Sequence, residues 1–147
     1  MNLKNYTSTV PADKSIMRIE RLLVEVGAKN INKQYDDNML KSITFLIDMN
    51  GQTAAFRLPA KVDVVEKVLR KEVKRPQSGT YERIKDQSER TAWKILCDWV
   101  EIQCSMIHLE QAEFAEIFLP YHYNPELNQT LWEQVKEGSI KLLNWSI

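Results

Sequence analysis

Side chains suited to chemistry are few in this sequence and lie far apart. Only two histidines are present, His108 and His122, and neither stands in a metal-ligand motif. Nucleophilic catalysis needs a base aimed at a serine or cysteine, and no motif here supplies one. The pair Asp36-Asp37 could hold a divalent ion, but beside Asn38 it reads more simply as turn chemistry. The four glycines are scattered, so no glycine-rich loop exists to cradle a phosphate. The reading is a protein without catalytic residues, metal ligands or cofactor, whose work is binding.

The charges say where binding would occur. Net charge is zero, yet residues 57–94 carry 11 basic and 6 acidic side chains, and residues 95–147 carry 2 and 8. A basic middle offers a surface to phosphates, and an acidic end offers one to a cationic partner or to a second copy of the chain. Arg57 stands out within this set. It lies mid-strand between Phe56 and Leu58, where a solvent position would accept threonine as readily. With Asn32, Gln34 and Thr44 on the same polar sheet face, it could grip a phosphate or carboxylate by forked hydrogen bonds. Lys71, Lys74, Arg75 and Arg83 would extend the grip as a track along a nucleic-acid backbone. The plainer alternative is an ordinary solvated face on which Arg57 pairs with a carboxylate such as Asp48.

These residues need a scaffold, and apolar spacing supplies one. Residues 88–110 read as a central helix, capped at Asp86 or Ser88. Its main stripe is Ala92, Ile95, Leu96, Trp99, Ile102, Met106 and Leu109; Trp93, Cys97, Val100, Cys104 and Ile107 lie beside it. A helix apolar over this much of its surface must be covered on more than one side, and both Trp93 and Trp99 are expected in the core. Upstream, residues 11–26 form an amphipathic helix, opened by Pro11 and stopped by Gly27. Residues 30–35 alternate as a strand, Asp36-Asp37-Asn38 turns, and residues 41–49 form a second strand. Asn50-Gly51 is a two-residue hairpin signal that sets Met49 opposite Gln52, Ile47 opposite Ala54, Phe45 opposite Phe56 and Ile43 opposite Leu58. Pro59 ends the third strand.

Residues 62–73 follow as a basic helix, 75–80 as a loop, and 81–85 as a short helical lead. Beyond the central helix come a short amphipathic turn or helix at 112–119 stopped by Pro120, an aromatic loop at 121–125, and a last helix at 130–136. Leu131 and Trp132 anchor that helix, and Gly138 ends it. The fold class is α+β: a three-stranded antiparallel meander with helices on one face, in the order α-β-β-β-α-α plus short C-terminal helices. The 147 residues suit one domain, with a polar lead at 1–10 and a tail at 138–147 whose apolar part, 140–147, docks as a strand or a helical turn.

Cys97 and Cys104 are seven apart on one helix, roughly 10 Å by the helical rise, too far for a disulfide. They read as free buried thiols of a cytoplasmic protein. The first ten residues lack an apolar signal core and no run approaches membrane-spanning length, so no membrane association is expected.

Four stretches together resemble a family of small uncharacterised proteins carried by bacteriophages and prophages. They are residues 6–28 (YTSTVPADKSIMRIERLLVEVGA), 56–59 (FRLP), 92–103 (AWKILCDWVEIQ) and 118–121 (FLPY). The resemblance implies a mobile-element accessory protein in a bacterial host and implies no catalytic motif. Two functions suit it: a module contacting nucleic acid in phage DNA metabolism, or an anti-defence homo-oligomer that sequesters a host protein or a nucleotide signal.

Overall fold

A computed structural model describes residues 3–142. Helix α1 (Ala12–Glu25) follows Pro11, whose φ of −58° suits helix entry. It buries Ile16, Ile19, Leu22 and Leu23, and Gly27 ends it at φ +105°, in the left-handed region open to a residue without Cβ. Strands β1 (Lys29–Asp36), β2 (Met39–Met49) and β3 (Gln52–Pro59) then form an antiparallel sheet with β2 in the centre. Asp37-Asn38 and Asn50-Gly51 join them, all four at positive φ, the geometry that matches strand twist in a two-residue turn. The β2–β3 pairs are those the Asn50-Gly51 loop dictates, from Met49 opposite Gln52 to Ile43 opposite Leu58. Ile43, Phe45, Phe56 and Leu58 on one face are fully buried. On the other face Thr44, Leu46, Ala55 and Arg57 are half-buried, and Asp48 and Thr53 are exposed.

Helices α2 (Val62–Lys71) and α3 (Thr80–His108) follow, and α3 departs from expectation in two respects. It begins eight residues before Ser88, directly after Gly79 at φ +81°, so the 81–85 lead and the end of the 75–80 loop belong to it. Neither Asp86 nor Ser88 caps anything: the Ser88 hydroxyl donates to the Ile84 carbonyl inside the helix, 2.6 Å away, a local bond open to any buried serine. Burial also favours the second set of apolar residues, joined by Ala92 from the first, with Leu96 and Trp99 packed against the core. Trp93, Cys97, Val100 and Cys104 face the core, while Ile95, Ile102 and Leu109 are exposed. Both arcs have helical spacing, and only the neighbouring elements decide which is covered. Here α1 decides, close enough for the Cys104 thiol to reach the Leu22 carbonyl at 3.7 Å. Trp93 is therefore the core tryptophan, and Trp99 is a half-buried one set edge-on to Phe118 and Tyr121.

Helix α4 (Phe114–Phe118) runs into a single 3-10 turn (Leu119–Tyr121), so Pro120 lies inside that turn rather than stopping the helix. The expected aromatic loop contains a strand instead: β4 (Tyr123–Asn124) pairs with β5 (Gln129–Thr130). The Asn124 side chain accepts from the amides of Glu126 and Leu127, and Asn128 sits at φ +53°, which together close the connection. His122 bridges to Phe56, so this ribbon lies along the free edge of β3. Helix α5 (Leu131–Glu137) starts with a reciprocal Thr130–Glu133 cap and stops at Gly138, φ +95°. Trp132 is not an anchor; it stands about half in solvent. The tail expected to dock falls mainly on residues 143–147, outside the described residues.

The polar lead is strapped along α3. The Asn5 side-chain amide donates to Asp98 at 2.8 Å, the Thr91 hydroxyl donates to the Asn5 carbonyl at 2.9 Å, and Gln87 and Arg90 both donate to the Ser8 carbonyl. Burial alone would raise the Asp98 carboxyl, but hydrogen bonds from Lys94 and Asn5, aided by the charges of Lys94 and Lys4, hold it below its ordinary value. A lowered carboxyl contributes stability above the ordinary value of about 3.9 and loses it as pH falls through the folded value. Acidification below about pH 4 is thus expected to release residues 3–10 before the core melts. Hydrogen exchange would show this as early loss of protection in that segment; protection lost only with global unfolding would contradict it.

Both cysteines are free and buried. Burial pushes the Cys104 thiol up to about 11 and raises that of Cys97 as well. Thiolate is the reactive form, so neither should be alkylated by iodoacetamide at pH 8 until the chain is denatured; ready labelling of the native protein would show that α3 does not pack as described. Among the described residues, no helix is long and apolar enough to cross a membrane, and no group of three or more His, Cys, Asp or Glu is placed to hold a metal ion.

Candidate nucleic-acid interface

Arg57 owes its position to strand parity. With Phe56 and Leu58 pointing into the core, position 57 must face the other way, opposite Thr44 of β2. There its guanidinium is fixed by neutral groups. Nε donates to the Thr44 hydroxyl at 3.3 Å, Nη1 donates to the Asn128 side-chain carbonyl at 3.0 Å, and the guanidinium carbon lies 3.9 Å from the centre of the Tyr123 ring. The Tyr123 hydroxyl also donates to Asn128, at 2.7 Å. Thr44 and Ser42 in turn donate to Gln34 at 2.9 and 2.8 Å, so Gln34, Thr44 and Arg57 form one connected row across the three strands.

Arg57 has no carboxylate partner among the described residues. Asp48 is committed elsewhere: it takes Lys29 at 2.7 Å and the Thr53 hydroxyl at 2.6 Å, and those bonds lower its carboxyl. An arginine held by a hydroxyl, an amide and a ring keeps its full charge and part of its fork for an incoming anion.

Arg57 lines a cavity of about 1100 Å³ between the β2–β3 end of the sheet, the 3-10 turn and α5. Lys41, Lys61 and Lys136 line it too, and none of the three forms an ion pair among the described residues. Two acidic side chains share the wall, Glu133 and Glu137, each already bonded: Glu133 caps the amide of Thr130, and Glu137 accepts from the Gln129 amide. Tyr121 and the half-exposed Trp132 also line it. The groove sets four cations against two carboxylates, a net positive wall with two aromatic rings in reach, the pairing that phosphates and bases use.

Asn32 lies opposite Thr44 on β1 and is exposed, beside the row but with no bond into it among the described residues. The other expected cations are not gathered with Arg57. Lys71, Lys74 and Arg75 are exposed at and beyond the end of α2 and line neither this cavity nor its neighbour. Arg83 lines a second, mostly apolar cavity of about 680 Å³ between α2, α3 and the N-terminal segment, and donates to the Thr80 hydroxyl. The sequence does not mark Lys41, Lys61, Lys136, Tyr123, Asn128 or Trp132 as binding residues. Their only shared signal is proximity, created when β4 and β5 fold back along β3, and spacing along the chain does not carry it.

Compared with protein-family models, curated proteins and solved structures, the chain matches none.

Proposed function

We propose that this chain is a non-enzymatic binding module that contacts nucleic acid through the groove around Arg57. The observation that carries the reading is a half-buried arginine braced by Thr44, Asn128 and Tyr123, free of any carboxylate among the described residues. Three further lysines supply backbone neutralisation, and Trp132 supplies a surface on which a base can stack. The resemblance to phage-carried proteins suits a role in phage or prophage DNA metabolism. Four cations set an upper bound of four neutralised phosphates, and for a single strand log affinity then falls against log salt with a slope of at most roughly −3.

Fluorescence anisotropy of a labelled single-stranded oligonucleotide between 50 and 300 mM salt tests this. Binding that weakens steadily across the range is expected, and binding that is absent at low salt or indifferent to salt would discard the proposal. A strand that fails to bind while a free mononucleotide raises the melting temperature would favour the sequestering role instead.

A further inference from the structure

The outermost line of α3 is apolar, which is the reverse of what a surface helix should show. Ile95, Ile102 and Leu109 are 39%, 56% and 69% exposed, and they recur at seven-residue intervals. At 100° per residue they stand almost opposite the core positions Val100 and Cys104. Trp99 and Met106, both half-buried, fall between them, so Ile95, Trp99, Ile102, Met106 and Leu109 step along the helix by four, three, four and three residues. That alternation is a heptad seam, the spacing by which one helix packs against another. The seam is framed on one side by α1, where Arg18 bonds Glu101 at 3.3 Å, and on the other by Phe118 and Tyr121 against Trp99. Neither frame covers Ile102.

We infer that this seam is a homodimer interface, in which α3 of two copies pack antiparallel about a two-fold axis at Ile102. Charge selects both the occupant and the direction. Along α3 and just past its end, residues 80–94 carry 4 basic and 3 acidic side chains, whereas residues 95–110 carry 3 acidic ones and no lysine or arginine. Parallel pairing sets like against like, whereas antiparallel pairing sets the basic end of one copy against the acidic end of the other. In that register Ile102 meets its own symmetry mate and Ile95 meets Leu109. Lys94 and Glu110, each eight residues from the axis, come to the same end of the seam. A self-complementary patch of this kind is what a closed two-fold dimer requires. The groove around Arg57 is not part of the seam, so the inference stands whether or not nucleic acid binds there.

Sedimentation equilibrium at micromolar concentration should give twice the 17.2 kDa chain mass. Ile102→Glu should return the single-chain mass with an unchanged circular dichroism spectrum, because the position faces solvent in one copy, and its melting temperature should lose the dependence on protein concentration that the dimer shows. A wild-type monomer, or a dimer that Ile102→Glu leaves intact, would overturn the interface. Single cysteines test the register. Oxidised Ile102→Cys should form a covalent dimer in high yield and Ile95→Cys should not, against a low background from the buried native thiols; equal yields at the two positions would overturn the antiparallel arrangement.

Discussion

Trp93→Ala is expected to be the most destabilising single change in the chain. The Trp93 side chain is fully buried within the hydrophobic core. Truncating a buried aromatic to alanine costs roughly 3–5 kcal/mol, a large share of a total stability of about 5–15 kcal/mol. The melting temperature should fall on the order of 10 °C or more, with loss of solubility. Two controls separate this from a general sensitivity to losing tryptophan. Trp132→Ala removes a half-exposed ring and should melt near the wild type. Trp93→Phe should be milder than Trp93→Ala, because it leaves a smaller cavity and removes an indole N–H that has no hydrogen-bond partner among the described residues. Equal melting temperatures for Trp93→Ala and wild type would show that α3 is not the core helix.

Arg57→Ala should have the largest effect on binding. It removes the one cation in the groove that is braced rather than free to rotate, and with it the fork that grips an anion from two directions. A loss of at least about tenfold in affinity for a single strand is expected, with a salt slope shallower by about one. Arg57→Lys should recover only part of it, since an ammonium keeps the charge but neither the fork nor the ring stacking. The melting temperature should move little, because Thr44 remains bonded to Gln34. Unchanged affinity in Arg57→Ala at low salt would remove this residue from the site.

Local features of the fold were legible because local chemistry sets them. Asn50-Gly51 admits one turn geometry, and once the turn is fixed every β2–β3 pair follows, Arg57 opposite Thr44 included. Gly27 and Gly138 mark helix ends for the same kind of reason. What spacing could not decide was which of two apolar arcs of α3 would be covered, because that depends on where α1 and the sheet come to rest. By spacing alone Trp99 belongs with the core, and so does the ladder of Ile95, Ile102 and Leu109 that the fold leaves exposed. The site was half legible for a related reason. Gln34, Thr44 and Arg57 share one sheet face and follow from register, whereas Tyr123 and Asn128 reach Arg57 across 66 and 71 residues of chain. The basic residues beyond α2 shared charge with Arg57 but no surface, since composition counts charges without placing them.

The central claim is that nucleic acid lies in the groove beside β3, and the most direct measurement is photochemical cross-linking of a single-stranded oligonucleotide followed by peptide mapping. Adducts are predicted on Tyr121, Tyr123 and Trp132, the rings in or beside the wall that carries Arg57. Adducts confined to other segments, Tyr6 at the second cavity above all, would contradict the account.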